Sequence, residues 1–263
     1  MLWVVAATGS CFADDPSPSN QWFHVERYSY TTVDEKSPDT VLEKVTMEFR
    51  AGTHEHQTAY TSKNQEGTEE TLIRLTPEGK LLSGIRRNSD TNGIPVSSAR
   101  IWIEEGQILS EVTRDNREPK RRSSPQEGTD VAAEPSLMNM LRVFPFGAGE
   151  ERKILMATFS QYIIPMTLRQ LEDERAFVPA GIMDCYKVEA AVSFLGLKFN
   201  TTYWLSKDPP HVLIRYRGKR GLFLSPTYVT ELVSGETNGV PLRLSGSGHS
   251  RGQKAQSGAP IQE

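Results

Sequence analysis

The sequence predicts a mainly β protein: one large, strongly curved antiparallel sheet of ten or more strands, an open or half barrel, with one short helix packed on its concave face. Three observations lead there. Apolar and polar residues alternate in successive runs between Trp22 and Leu244, turn residues divide those runs at hairpin spacing, and a single segment has helical periodicity. A sheet with that many strands twists and curls, and the concavity it creates has to be filled by apolar groups.

The second of these runs spans Val41 to Arg50, where Val45, Met47 and Phe49 share one face and Lys44, Thr46 and Glu48 the other. Pro77-Glu78-Gly79 then joins residues 71–76 to 80–87, and Glu105-Gly106 joins 101–104 to 107–113; both connections have the length and composition of hairpin turns. Residues 115–133 are polar, with Lys120-Arg121-Arg122 between Pro119 and Pro125, and read as a disordered loop. From Glu134 to Phe144 apolar residues recur at 137, 138, 141 and 144 behind Pro135, which predicts a helix of about ten residues ended by Pro145. In the next strand Tyr186, Val188, Ala190, Val192 and Phe194 alternate with Lys187, Glu189, Ala191 and Ser193, and Gly196 turns it into residues 197–206. Parallel pairing needs crossovers of a dozen or more residues, for which the strands leave no room, so the sheet is expected to be antiparallel throughout.

The ends differ in composition from this block. Met1 to Ala13 is apolar and uncharged, too short to span a bilayer, and stops at Asp14-Asp15-Pro16, as a secretory leader does. The expected organisation is a signal peptide over 1–13, a linker over 14–21, one β domain over 22–244 and a disordered Gly/Ser/Gln-rich tail over 245–263. The protein is therefore expected in the periplasm or cell envelope; the alternative is a lipoprotein anchored at Cys11. Removal of the leader leaves Cys185 without a partner, so no disulfide framework is available and Cys185 reads as a structural side chain.

A formal charge of -3 over 263 residues gives no field that would gather nucleic acid. The mean hydropathy of -0.47 and the absence of a long apolar run exclude a transmembrane helix. No motif for catalysis is present: Gly246-Ser247-Gly248-His249 lies in the tail, and phosphate-binding glycine loops are missing. His54-Glu55-His56 is the sole metal-like cluster, and without a third ligand it reads as an exposed strand edge. No cofactor, metal or catalytic residue is assigned, and the expectation is a protein that is not an enzyme. A hydrolase assembled from His24, His211 and scattered acids stands as a remote alternative.

Three stretches carry a resemblance: Pro135-Ser136-Leu137-Met138-Asn139-Met140-Leu141-Arg142 with its exit through Pro145 to Gly147; Phe177-Val178-Pro179-Ala180-Gly181 running on to Cys185-Tyr186-Lys187-Val188-Glu189; and Thr202-Tyr203-Trp204-Leu205-Ser206-Lys207-Asp208-Pro209-Pro210. Together they resemble an exported bacterial family whose domain is of unknown function. More loosely, the pattern is similar to bacterial lipoprotein-carrier and lipoprotein-receptor half-barrels. That likeness implies a curved sheet around an apolar cavity that takes acyl chains.

Met138, Leu141, Phe144, Tyr186, Val188, Phe194, Phe199 and Tyr203 are the candidates for the concave face and its ligand cavity. The first functional expectation is a non-enzymatic exported binding or carrier module for a lipid-like or other apolar envelope ligand. The second is a structural or protein-interaction domain of the envelope in which the same residues form a solid core.

Overall fold

The computed structural model describes residues 22–114, 117–126, 128–147, 151–194, 197–219 and 225–242, and of residues 135 and 193–198 it describes no side chain. The leader, the linker and the tail lie outside the described residues.

Seventeen strands form one sheet: β1 (Trp22–Asp34), β2 (Ser37–Gly52), β3 (His56–Asn64), β4 (Gly67–Leu75), β5 (Leu81–Ser89), β6 (Pro95–Glu104), β7 (Gln107–Arg114), β8 (Lys120–Pro125) and β9 (Asp130–Ala133) precede the helical segment. After it come β10 (Glu151–Ala157), β11 (Ile163–Gln170), β12 (Glu174–Val178), β13 (Gly181–Phe194), β14 (Leu197–Ser206), β15 (Leu213–Lys219), β16 (Thr227–Thr237) and β17 (Val240–Pro241). The helical segment is a 3-10 turn over Glu134–Ser136 followed by α1 over Leu137–Arg142.

Hydrogen-bonded neighbours run from β8 back through β7, β6, β5, β4, β3 and β2 to β1, then through β16, β15, β14, β13 and β11 to β10 and β9. β12 pairs with the first part of β13, beside the stretch that takes β11, and β17 flanks the end of β16. β8 and β9 are the two ends of this path, and they follow each other in the chain. The sheet is thus curved and open, with α1 on its inner side.

Two expectations need correction. Residues 115–133 are not a disordered loop throughout: they carry β8 and β9. The sheet is not wholly antiparallel either, since β9 runs parallel to β10, with Val131 opposite Leu155 and Ala133 opposite Ala157. The 3-10 turn, α1 and the chain after it supply the crossover that parallel pairing requires. The helix is also shorter than expected. Ser136 accounts for the tight entry: its Oγ accepts from the Ala133 N–H at 2.8 Å and donates to the Ala133 carbonyl at 2.9 Å.

β9 and β10 explain how one sheet buries two cores. Their residues alternate between two apolar clusters, Ala132, Ile154 and Met156 facing one, Val131, Ala133 and Ala157 the other. This end of the sheet is therefore rolled inward as a partition. On one side lie α1 and the inner faces of β1, β2 and β13–β16, with Tyr28, Tyr30, Val45, Met47, Leu141 and Leu232. Ile73, Leu75, Leu81, Ile101, Ile108 and Phe159 fill the other side, between the partition and β4–β7. Gly84 marks how close that second packing is, because a Cβ there would sit 2.8 Å from Ile73 Cδ1 and 3.1 Å from Phe159 Cζ.

A buried ion pair at the mouth of the concave face

The eight residues expected on the concave face separate into two groups. Leu141 and Val188 are 0% exposed, Phe144 3% and Tyr203 8%, all within the larger cluster, and Met138 packs against it. Tyr186 and Phe199 are half-buried, and the side chain of Phe194 lies outside the described residues. Tyr186 stacks on Phe146 with centroids 4.0 Å apart, and His211 meets both rings edge-on. The structure brings five of the eight into packed core and puts Tyr186 in an aromatic cap.

The centre of this region is polar, and it was not expected from the sequence. Arg142, the last residue of α1, donates from one Nη2 to both Glu26 carboxylate oxygens at 2.7 Å and from Nε to the Pro210 carbonyl at 2.8 Å. Its guanidinium lies 4.7 Å from the centre of the Phe49 ring. Glu26 also accepts from the Tyr28 hydroxyl at 2.6 Å and contacts His24 Nε2 at 2.6 Å. The Glu26 side chain is 0% exposed and that of Arg142 10%. One turn earlier on α1 the same mixture continues, with Asn139 Nδ2 donating to Thr58 Oγ1 at 2.6 Å.

These contacts set the local electrostatics. Burial alone would raise the Glu26 pKa, but the Arg142 charge and the hydrogen bonds from Arg142, Tyr28 and His24 outweigh it and hold the carboxyl below its ordinary range. Desolvation pushes the Tyr28 and Tyr30 hydroxyls well up, reinforced by Glu26. His56 is held below its ordinary value by desolvation and then by Arg142. The pair sits in a low-dielectric setting, where each charge depends chiefly on the other for compensation and Tyr28, His24 and the Pro210 carbonyl add hydrogen bonds.

A sequence signal for it did exist. Glu26 is in phase with Tyr28 and Tyr30 along β1, so a carboxylate stands at an inward-facing position, and Arg142 follows Leu141 on an otherwise uncharged helix. An acid on a buried strand face requires a partner, and Arg142 is the one cation that α1 supplies.

The three stretches that carry the resemblance meet here. The helix contributes Arg142 and its exit Phe146, the Cys185–Glu189 strand contributes Tyr186, and the Trp204–Pro210 turn contributes the Pro210 carbonyl and leads into His211. Ser206, Asp208 and His211 come together in that last turn, but as a backbone lock. Ser206 Oγ donates to the Asp208 carbonyl and accepts from the Val212 N–H, while His211 Nδ1 donates to the Ser206 carbonyl at 2.9 Å. Ser206 Oγ and His211 Nδ1 thereby hold the backbone of this turn.

Elsewhere, His54-Glu55-His56 is not an exposed strand edge, because β3 is flanked by β2 and β4, Glu55 is buried and bonded to Arg74, and His56 packs edge-on against Phe49. Among the described residues no three His, Cys, Asp or Glu side chains converge as metal ligands. Cys185 is buried, and desolvation raises its thiol to about 12. Among the described residues no helix is long and apolar enough to cross a membrane. An open cleft of about 430 Å³ lies between the β4–β5 and β6–β7 turns, the β8–β9 connection and the end of α1, with Lys80, Ile103, Gln126, Met140 and Arg152 in its wall. None of the eight expected cavity residues lines it.

No protein-family model matches the chain, and no curated protein matches it. Among solved structures, a predicted lipoprotein of Parabacteroides distasonis superposes with a TM-score of 0.34 at 11% identity, over 80% of this chain and 94% of that one. A predicted exported protein with YmcC-like fold from Bacteroides fragilis gives 0.32 at 11% identity, over 80% and 95%. The hypothetical lipoprotein YmcC of Escherichia coli gives 0.32 at 11% identity, over 78% and 83%. At such scores the superpositions assign neither family nor function.

Proposed function

We propose that the chain is a non-enzymatic, exported interaction module of the cell envelope whose concave face is solid protein, not a lipid-holding cavity. One observation carries this reading. A void wide enough for an acyl chain leaves its lining with accessible surface, yet Leu141 and Val188 at its expected centre have none. The Glu26–Arg142 pair supports it further, since the place where a ligand would enter from the helix side is occupied by a desolvated ion pair bonded to three segments.

The test is a titration of the full chain, stripped of bound lipid by organic extraction and refolded, with a fluorescent fatty acid. The expected result is no saturable uptake. Saturable binding at about one fatty acid per chain, lost in Leu141→Trp, would replace this reading with the carrier.

A further inference from the structure

The end strand β8 is exposed over most of its length and pairs on one side only, with β7. Which of its backbone groups are left over follows from the register. The two-residue Glu105-Gly106 turn makes Glu104 and Gln107 a hydrogen-bonded pair, so odd-numbered residues of β7 bond to β6 and even-numbered ones to β8. The Gln126 N–H accordingly reaches the Gly106 carbonyl at 3.0 Å. Opposite the even-numbered residues of β7 stand Lys120, Arg122 and Ser124. The N–H groups of Arg121 and Ser123 and the carbonyls of Arg121, Ser123 and Pro125 therefore point away from the sheet, with no partner among the described residues.

The chemistry around this edge is net basic. Residues 111–122 carry five cations against three acids. Arg114, Arg117, Lys120, Arg121 and Arg122 are all exposed, and among the described residues Arg121 alone of these is paired with an acid, Glu111 at 2.6 Å. Charges and proline on an end strand ordinarily discourage pairing between copies. Here they also set the sign of what can pair, since a second β8 would bring like charge against like charge.

The geometry points to β8 as a strand-addition site for an acidic, extended polypeptide segment of a partner protein. Main-chain hydrogen bonds to Arg121 and Ser123 supply the register, and Lys120 and Arg122 select for carboxylates. A polypeptide is favoured over an acidic glycan because the unpaired groups alternate donor and acceptor at strand spacing. Beyond Pro125 the edge leads to Gln126 and Thr129 in the wall of the 430 Å³ cleft, which gives the end of the added segment room. This inference rests on the reading of the chain as an interaction module and names the class of partner.

The test uses a fluorescently labelled short peptide of alternating Glu and Val, followed by anisotropy as the full chain is added. Three comparisons accompany it: the same peptide N-methylated at alternate residues, the variant Ser123→Pro, and the double variant Lys120→Glu with Arg122→Glu. Ser123→Pro removes an outward N–H while leaving the β7 pairing of Arg122 and Ser124 intact. Saturable binding is expected, abolished by N-methylation and weakened about tenfold by each variant, with urea midpoints unchanged. Absence of binding to the wild type, or binding indifferent to N-methylation and to Ser123→Pro, would overturn the proposal. So would equal binding of a sulfated glycan fragment to wild type and Ser123→Pro. Should Ser123→Pro fail to fold, the charge reversal and the N-methylated peptide decide the matter. None of these outcomes bears on the fatty-acid titration, so the two readings fail separately.

Discussion

The two cores on either side of the β9–β10 partition are held by different physics. The larger one contains tyrosines, a helix and the desolvated Arg142–Glu26 pair, whereas the smaller is built from Ile73, Leu75, Leu81, Ile101, Ile108, Val131 and Phe159 with no charge inside it. Arg86 stays at the margin of the smaller core, 4.4 Å from the Phe159 ring centre and bonded to Glu134 at 2.9 Å. The first core depends on the geometry of its buried ion pair and hydrogen bonds as well as on packing; the second depends mainly on shape. The difference separates a core crossed by a buried ion pair from one built of aliphatic and aromatic side chains beside the cleft.

The largest expected effect of a single change lies in the first core. Arg142→Ala leaves the Glu26 carboxylate buried and uncompensated and frees the Pro210 carbonyl, which should lower stability by about 3–5 kcal/mol in urea denaturation. Replacing both partners, Glu26→Gln with Arg142→Met, should recover more than half of that loss, because the uncompensated charge is gone. Equal losses in the single and double variants would contradict a coupled pair.

In the second core the expected effect is smaller and of another kind. Gly84→Ala forces a methyl group against Ile73 and Phe159, costing about 1–3 kcal/mol by overpacking. Trimming the neighbour in Gly84→Ala with Ile73→Val should return part of it. An unchanged urea midpoint for Gly84→Ala would show that this packing is looser than described.

The smallest effect separates the cores by pH. Glu26 has its carboxyl held below its unfolded value by Arg142, so its contribution is present above about pH 4.3 and is lost as pH falls through the depressed folded value. Urea midpoints measured from pH 7 to pH 3 should therefore fall less steeply in Glu26→Gln than in the wild type. Parallel profiles would remove Glu26 from the account.

What was legible in the sequence follows from the same contrast. Strands with one wet face announce themselves: Val45, Met47 and Phe49 of β2 and Val188 and Ala190 of β13 are buried in alternation as their pattern predicts. β9 does not, because both its faces are covered, and Val131-Ala132-Ala133 reads as a short apolar stretch with no period. β8 is hidden for the opposite reason. Neither of its faces is buried, so Lys120-Arg121-Arg122-Ser123 has the composition of a loop and becomes a strand through backbone pairing with β7 alone. The polar centre needed a pairing between residues 26 and 142, which local patterning does not reach. An apolar lining and an apolar filling demand the same inward-facing side chains, so the pattern alone leaves the carrier and the solid-core expectations side by side.

The central claim is that protein fills the concave face and Arg142–Glu26 closes it. Native mass spectrometry of the full chain, purified without detergent from the cell that makes it, tests this most directly. The account predicts the mass of the polypeptide alone. A discrete adduct of lipid mass on most molecules, removed by organic extraction, would contradict it.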